Sequence, residues 1–386
     1  MCDAMVALGR RGIEVAALVH RHSSSIRSID EVFIEGTTNF HVVRVGTFAK
    51  LVFTPISPSF PWQMHRLIKS FKPDVLHLHL PNPSVFWALG LPSARRIPWV
   101  VHWHSDVIST AQSWRMKFFH GLYRPFESAV LKRAKAIVAT SEPYLDSSEP
   151  LQPWLEKCHV VPLGVDINRF VDKSKTKSLT IENDGAPDDQ AVGKVAKTKQ
   201  GELNVLAIGR LTYYKGFRYL IEAAAKLENI CVDLVGHGDQ EKELKELTIS
   251  LNIQDRVSFH GVLSDAELSQ QMQKCDCVCL PSIERTEAFG MVLLEAMYFG
   301  KATVVGNVAG SGMGWIVEDG ITGIKVKPAD ADALVEAFRR LSEDRTELEE
   351  MGKRGKEKFH QCFAIDHAIE GLIDVYQKVT YVAGAN

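Results

Sequence analysis

Short apolar runs, each closed by a glycine or a small polar cluster, alternate along this chain with longer stretches of helical periodicity. That rhythm is the pattern of parallel βαβ units. Residues 2–11 predict a helix ending at Gly12, and Ile13 to Val19 a strand. Residues 20–41 are polar and read as loop, followed by a short strand at Val42-Val43-Arg44-Val45. A helix is predicted over Phe60 to Phe71, a strand over Val75 to Leu80, a helix over Ser84 to Ala94 and a strand over Pro98 to His102. A helix over 113–135 and a strand from Ala134 to Ala139 come next. In the second half, strands are predicted at Val205–Ile208, Ile230–Val235, Val257–His260, Asp276–Leu280 and Ala302–Val305. A last helix is centred on Tyr376. The expected fold is α/β, with one domain over 1–170, a second over 204–362 and a terminal helix over 363–386. Residues 171–203 are rich in Lys, Asp, Thr and Gly and poor in large apolar side chains. Such a stretch buries little and reads as a flexible insertion.

Composition adds bounds. A length of 386 residues accommodates two domains of ordinary size. No apolar run reaches the eighteen residues of a membrane-spanning helix. Met1 to Leu8 carries no leader pattern. Seven cysteines without a regular framework suggest reduced thiols, so the expected location is the cytoplasm. Residues 1–170 hold 19 Lys and Arg against 13 Asp and Glu, and the remainder 26 against 34. A basic first half suits an anionic acceptor or an anionic membrane surface, and a solvated face gives the same imbalance. Within it, 113–135 combines Trp114, Phe118, Phe119 and Tyr123 with Arg115, Lys117, Arg124, Lys132 and Arg133. We read it as a core helix, with a membrane-surface or lipid-diphosphate contact as the alternative.

The candidate chemistry gathers at strand ends. After Asp276–Leu280 comes a loop running to Gly290, and then Met291, Leu294 and Met297 at helical spacing. The free N–H groups of such a helix start, with the positive end of its macrodipole, make an anion site. Glu287 lies in the loop and Glu295 in the helix, roughly 6–8 Å below the first amides. A second glycine turn, Gly209-Arg210-Leu211 to Lys215-Gly216, follows Val205–Ile208. Its Arg fork and Lys point charge suit a diphosphate, although the order is not that of a Walker loop. In the first half, Val101-His102-Trp103-His104-Ser105-Asp106 puts histidines at a strand's carboxyl end, where open α/β sheets bind ligands. A structural histidine bonded within the sheet is the plainer reading. No metal is expected: His102 and His104 lack a third ligand at recognisable spacing. Cys275, Cys277 and Cys279 alternate along one strand, about 6–7 Å apart, and read as buried thiols. Asp330-Ala331-Asp332 reads as a helix N-cap.

Glu287 and Glu295, with seven residues between them around Phe289-Gly290, resemble the E-x7-E signature of retaining glycosyltransferases of family 4. These have two Rossmann-like domains facing across a cleft. The resemblance implies that Glu287 faces the donor sugar and Glu295 holds the ribose. It assigns the diphosphate to the backbone of Phe289, Gly290, Met291 and Val292. Gly209-Arg210-Leu211 and Lys215-Gly216 resemble the family's "GRl…KG" motif, so Arg210 and Lys215 would neutralise the leaving nucleoside diphosphate. Gly236-His237-Gly238 resembles "vGxG" near the nucleotide. His260-Gly261-Val262 resembles the strand end that contacts the base, placing Val262 there. Val160 to Asp166 resembles "iPxGvD" at the end of the first domain. His104-Ser105-Asp106 resembles the segment that sets a histidine against the donor sugar; His104 takes that role, with His102 as fallback. The final helix would cross back to brace the first domain.

By this resemblance the chain is an enzyme that transfers a sugar from a nucleoside diphosphate sugar to an acceptor hydroxyl, with retention. Neither cofactor nor metal is expected. The donor hinted at is GDP-mannose, through His-Trp-His-Ser-Asp and the glycine-rich loop before Trp315. The expected partners are that donor, a glycan or lipid-linked acceptor in polysaccharide or glycolipid assembly, and the membrane periphery; nucleic acid is not one. A sugar-nucleotide epimerase and a non-catalytic nucleotide-sugar binder are the competing classes, while a dehydrogenase is disfavoured for want of Gly-x-Gly-x-x-Gly after a first strand. In the family a strand and a Gly-rich loop precede the helix that here opens the chain. The expectation is therefore a first domain lacking that strand and loop, and a coding sequence that continues upstream of Met1.

Overall fold

The computed structural model describes residues 2–21, 27–35, 38–51, 54–107, 114–170 and 201–384. They form two compact units. One holds the chain through Pro162 and again from Ile365; the other runs from Leu163 to Ala364. Leu163 to Phe170, expected at the end of the first domain, instead packs in the second. Val165 is fully buried there beside Leu206, Val278 and Phe363, with Leu163, Ile167 and Phe170 against the same cluster. Most of the 171–203 stretch lies outside the described residues.

The first unit opens with α1 (Cys2–Arg10), β1 (Ala16–His20), β2 (Ile29–Glu35) and β3 (Thr38–Val45). A small hairpin, β4 (Ala49–Leu51) and β5 (Thr54–Ile56), and α2 (Phe60–Phe71) follow. Then come β6 (Leu76–Leu80), the short helices α3 (Trp87–Gly90) and α4 (Pro92–Arg95), and β7 (Trp99–Trp103). α5 (Trp114–Arg133), β8 (Ala136–Ala139), α6 (Glu142–Ser147) and β9 (Cys158–Val160) complete this part of the chain. The polar 20–41 stretch, read as loop, contains β2 and the start of β3, paired antiparallel from Ile29 and Arg44 to Glu35 and Thr38. Val32 of β2 is exposed, so the strand has no clean apolar face to announce it. The single helix expected from Ser84 to Ala94 is broken into a 3₁₀ turn and two short pieces. Pro92 disfavours helical backbone at Leu91, which is extended.

Apart from the β4–β5 hairpin, the strands of this unit stand in two sheets, β1-β3-β2, with β2 antiparallel, and the all-parallel β6-β7-β8-β9. β1 pairs with β3 and β6 with β7, and among the described residues no ladder joins β1 to β6. A side chain spans the division instead. The His20 imidazole, at the end of β1, bonds the Ser57 hydroxyl at 2.9 Å and the Ser84 hydroxyl, just past β6, at 2.8 Å.

α5 does not behave as a core helix along its whole length. Phe118, Leu122 and Phe126, four residues apart and so on one face, are 64%, 57% and 48% exposed. Among its described side chains, the buried apolar ones, Val130 and Leu131, lie in the last third. Between the two lies Glu127, buried and 3.9 Å from Arg124. Burial raises its carboxyl to about 7, against a smaller lowering by Arg124. The folded chain therefore binds a proton there that the unfolded chain releases, and stability falls as pH rises from about 4.5 to 7. Glu127→Gln should flatten that slope and be more stable than the parent at pH 8, as urea titrations at pH 5 and pH 8 would show. An unchanged slope would remove Glu127 as its source.

The second unit holds β10 (Leu203–Ile208), α7 (Phe217–Ala225), β11 (Ile230–Val235), α8 (Glu241–Ser250), β12 (Val257–Gly261), α9 (Asp265–Lys274) and β13 (Cys277–Leu280). α10 (Met291–Tyr298), β14 (Ala302–Gly306), α11 (Met313–Ile316), β15 (Gly323–Val326), α12 (Ala331–Glu343) and α13 (Arg345–Lys358) follow. Its six parallel strands are ordered β12-β11-β10-β13-β14-β15. Sequence order reverses between β10 and β13, and ligands of open α/β sheets bind outside the carboxyl ends of the strands at such a switch point. Both faces are covered, which is why β10, β11, β13 and β14 are mainly apolar rather than alternating. Asp330 caps α12, accepting from the Ala333 amide at 3.1 Å. α14 (Ile365–Gly384) returns to the first unit. It packs on α1 and β7, and Arg11 reaches Asp366 at 3.0 Å and Glu370 at 3.1 Å.

Candidate active site

Four loops meet at the carboxyl ends of β10, β11, β12 and β13. They are stitched by backbone bonds: Gly209 N–H to Val235, Leu211 N–H to His237, Gly236 N–H to Gly261 and Ile283 N–H to Tyr214. Gly236 has φ +133°, and a Cβ on it would stand 2.1 Å from the Gly209 carbonyl oxygen; one on Gly238 would stand 2.1 Å from that of Leu211. These two glycines are what let the loops after β10 and β11 close on each other. A Cβ on Gly209 would meet the Lys215 side chain at 3.0 Å, so that glycine makes room for the lysine stem.

Lys215 and Glu287, two residues singled out in the sequence, are brought together. The lysine is buried, and its ammonium pairs with the Glu287 carboxylate. The Ser282 hydroxyl lies 3.4 Å from the same carboxylate oxygen, and Ser311 donates to the Glu287 carbonyl. Gly290, with φ +88°, is the N-cap of α10 and turns the chain so that the helix starts directly after the Glu287 loop. Its missing side chain leaves space taken by Leu280, Leu293 and Met313. Phe289 and Val292 are buried in the core behind it, Phe289 edge-on to Phe363, so only their backbone is available to a ligand. Met291 is partly buried against the same core. Glu295 is buried one turn into α10 and faces Arg169 at 3.3 Å. Arg169 also lies 3.4 Å from Asp265. Arg210, at the mouth of the same loops, is exposed, as is Val262 at 70%.

The arrangement can hold an anion among Arg210, Lys215 and the amides at the start of α10, with Glu287 held in front by its lysine. Arg169 was not among the residues read from the sequence. It follows Val165-Asp166 in a segment resembling a domain boundary, and only the fold carries it to Glu295. The Asp166 side chain fixes the turn by accepting from the Asn168 amide at 3.0 Å.

His104 belongs to the first unit, in a different setting. Its Nε2 lies 2.8 Å from Nδ1 of His79, and its ring stacks on His102 at 4.4 Å. Burial lowers it to about 4, so the imidazole is neutral at pH 7. The next two residues anchor the loop. Asp106 accepts from the Trp103 indole at 2.9 Å and from Ser148 at 2.6 Å, and its own amide donates to Tyr144. The expectation that His102 and His104 have no further ligand beside them does not hold. His77 and His79 of β6 lie in the same stack, because β6 pairs with β7 in register. His77, His79 and His102 could hold a metal ion between them. Cys275, Cys277 and Cys279 are buried with thiols raised by desolvation, as expected of core residues.

Fold and site together define a glycosyltransferase built of two Rossmann-like domains. Residues 2–169 match the family described as Glycosyltransferase Family 4 and residues 189–358 that described as Glycosyl transferases group 1; the chain belongs to these glycosyltransferases. It is 30% identical over 290 residues to the D-rhamnosyltransferase WbpZ of Pseudomonas aeruginosa, covering 75% of this chain and 70% of that one. It is 28% identical over 333 residues to the O-antigen chain mannosyltransferase C of Escherichia coli, covering 85% of this chain and 82% of that one. Among solved structures, the sucrose-phosphate synthase of Thermosynechococcus elongatus superposes with a TM-score of 0.74 at 21% identity, over 98% of this chain and 92% of that one. No helix among the described residues is long and apolar enough to cross a membrane.

Proposed function

We propose that this glycosyltransferase moves a hexose from a nucleoside diphosphate sugar to an acceptor hydroxyl with retention at the anomeric carbon. The observation that carries the reading is the Lys215–Glu287 pair set before the Gly290-capped start of α10. As the glycosidic bond to the diphosphate breaks, negative charge grows on the phosphate oxygens. Lys215, Arg210 and the α10 amides stabilise that charge from fixed positions, the largest electrostatic contribution available here. Glu287 orients the sugar and is not a nucleophile. The acceptor proton passes to the departing phosphate on the same face. Glu295, steadied by Arg169, meets the ribose hydroxyls. The donor of this reading is a GDP-activated sugar of the mannose series, supported by the names of two relatives, since rhamnose is 6-deoxymannose.

NMR of the product anomer from GDP-mannose and GDP-D-rhamnose, with and without EDTA, tests this reading. Retained configuration and persisting turnover in EDTA are expected, because the two cations and the helix amides supply the charge. An inverted product, or loss in EDTA restored by Mg²⁺ or Mn²⁺, overturns it. Epimerised donor in the absence of acceptor would move the chain to the epimerase class.

The acceptor in this reading is lipid-linked or otherwise held near a membrane. The exposed Phe118–Leu122–Phe126 ridge on α5, in the basic half of the chain, supports it. Sedimentation with anionic vesicles should be lost in Phe118→Glu/Leu122→Glu. Equal sedimentation of the variant would rule out the ridge as the contact.

A further inference from the structure

β6 and β7 are parallel neighbours, with His79 opposite His102. Side chains two apart in a strand share a face. His77 therefore stands beside His79, and His104, one residue past β7, beside His102. Four imidazoles result in one stack, with centroids of touching rings 4.4–5.3 Å apart and planes within 19°. His77, His79 and His102 each offer a ring nitrogen, and these atoms all lie within 4.8 Å of one another. Nitrogens bound to one tetrahedral ion at about 2.0–2.1 Å stand roughly 3.3 Å apart. His77 Nε2 and His102 Nδ1 are already 3.2 Å apart.

A second observation is independent of that spacing. His102 is 5% exposed, and its Nε2 has no hydrogen-bond partner among the described residues. A buried imidazole nitrogen is ordinarily paired; this one, on a ring whose Nδ1 already lies against His77, is left without a partner. His77 has the opposite arrangement. Its Nδ1 lies 2.6 Å from the Tyr376 hydroxyl of α14, the outer bond that fixes the orientation of a ligating imidazole.

We propose that His77, His79 and His102 form a binding site for a divalent transition-metal ion. Three imidazoles suit Zn²⁺, Ni²⁺ or Cu²⁺; Mg²⁺ and Ca²⁺ require oxygen ligands. The rings are near-parallel, so their lone pairs lie in near-parallel planes, and ligation turns His79 and His102 about χ2 toward the Nε2 of His77, which Tyr376 holds in place. Ligation through Nδ1 of His79 gives up its bond to His104, which frees the His104 imidazole. The site lies within the first unit, takes no part in charge stabilisation at the diphosphate, and does not rest on the sugar-transfer reading.

The test uses the full chain, stripped with chelator and dialysed against Zn²⁺, with bound metal counted by elemental analysis. Co²⁺ then reports the coordination geometry. One equivalent of Zn²⁺ and intense visible Co²⁺ bands of four-coordinate type are expected. Loss of more than about ten-fold in affinity is expected in His102→Asn and in His79→Gln, with no change in His367→Asn at an exposed histidine. Circular dichroism checks each variant for folding. Should both cluster variants fail to fold, the wild-type Co²⁺ spectrum decides between the built site and weak six-coordinate surface binding. Substoichiometric Zn²⁺, a six-coordinate spectrum, or folded cluster variants that bind like the parent would overturn the proposal.

Discussion

Lys215→Ala should lower kcat/KM for the donor by about 10² to 10³, the usual effect of removing one fixed group that stabilises transition-state charge. The lysine is buried and paired with Glu287, so its loss also strands a carboxylate in a poorly solvated place. Breaking a buried pair from one side destabilises by about 3–5 kcal/mol at the extreme. Both side chains here keep slightly over a tenth of their surface exposed, so a smaller effect, about 1–3 kcal/mol, is expected. A second variant separates the two consequences. In Lys215→Met/Glu287→Gln no charge is stranded, so urea stability should recover while turnover stays low. Kinetics unchanged in Lys215→Ala would remove the lysine from the reaction. Recovery of both stability and turnover in the double variant would reduce it to a structural role.

The second large effect belongs to a residue with no side chain. Gly236→Ala places a Cβ 2.1 Å from the Gly209 carbonyl oxygen at φ +133°. Neither side can yield as the end of a flexible side chain would, because both are backbone. Conformational strain of about 1–3 kcal/mol and crowding of about 1–3 kcal/mol add, for roughly 2–6 kcal/mol in all. The loop pair relieves the clash by parting, which breaks the Gly209–Val235 and Leu211–His237 bonds and displaces Arg210. Donor binding, read as thermal stabilisation by GDP-mannose, should disappear together with a fall in Tm. Gly320→Ala is the control: φ is +70° there, but a Cβ would meet nothing within 4 Å. It bears the strain without the crowding and should keep nucleotide binding. Equal behaviour of the two variants would show that contact at Gly236 is unimportant.

The second unit was legible in the sequence because its physics is local. Leu203–Ile208 and Ile230–Val235 are covered on both faces, so each reads as a mainly apolar run, interrupted once, by Asn204 and Asp233 respectively, and ended by glycine. Glu287, Gly290 and Glu295 lie on one short segment, and their spacing alone points to a helix start between carboxylates. What pairs with them was not legible. Lys215 reaches Glu287 across 72 residues of chain and Arg169 reaches Glu295 across 126, contacts set by strand order rather than by neighbours in sequence. The first unit was harder. β2 is a half-exposed partner of β3, with Val32 turned to solvent, and its pattern could not be told from a polar loop. The apolar positions of α5 gave its helical period but not whether protein covers them. Leu76–Leu80 announced a strand, yet nothing in the chain says that its register sets His79 against His102. The histidine cluster exists only through that pairing.

Cys277 and Cys279 lie on β13, in the interior of the six-stranded sheet, fully buried, while Cys362 of the same unit is exposed. Alkylating reagents attack the thiolate, and only where they can reach it. Cys362 therefore takes label from the folded molecule, whereas the β13 thiols are modified only in molecules whose sheet has opened. Mass spectrometry of timed alkylation thus separates surface chemistry from opening in one sample. The ratio of the two labelling rates gives the unit an internal clock for its own unfolding, and a donor that closes the site should slow only the inner pair.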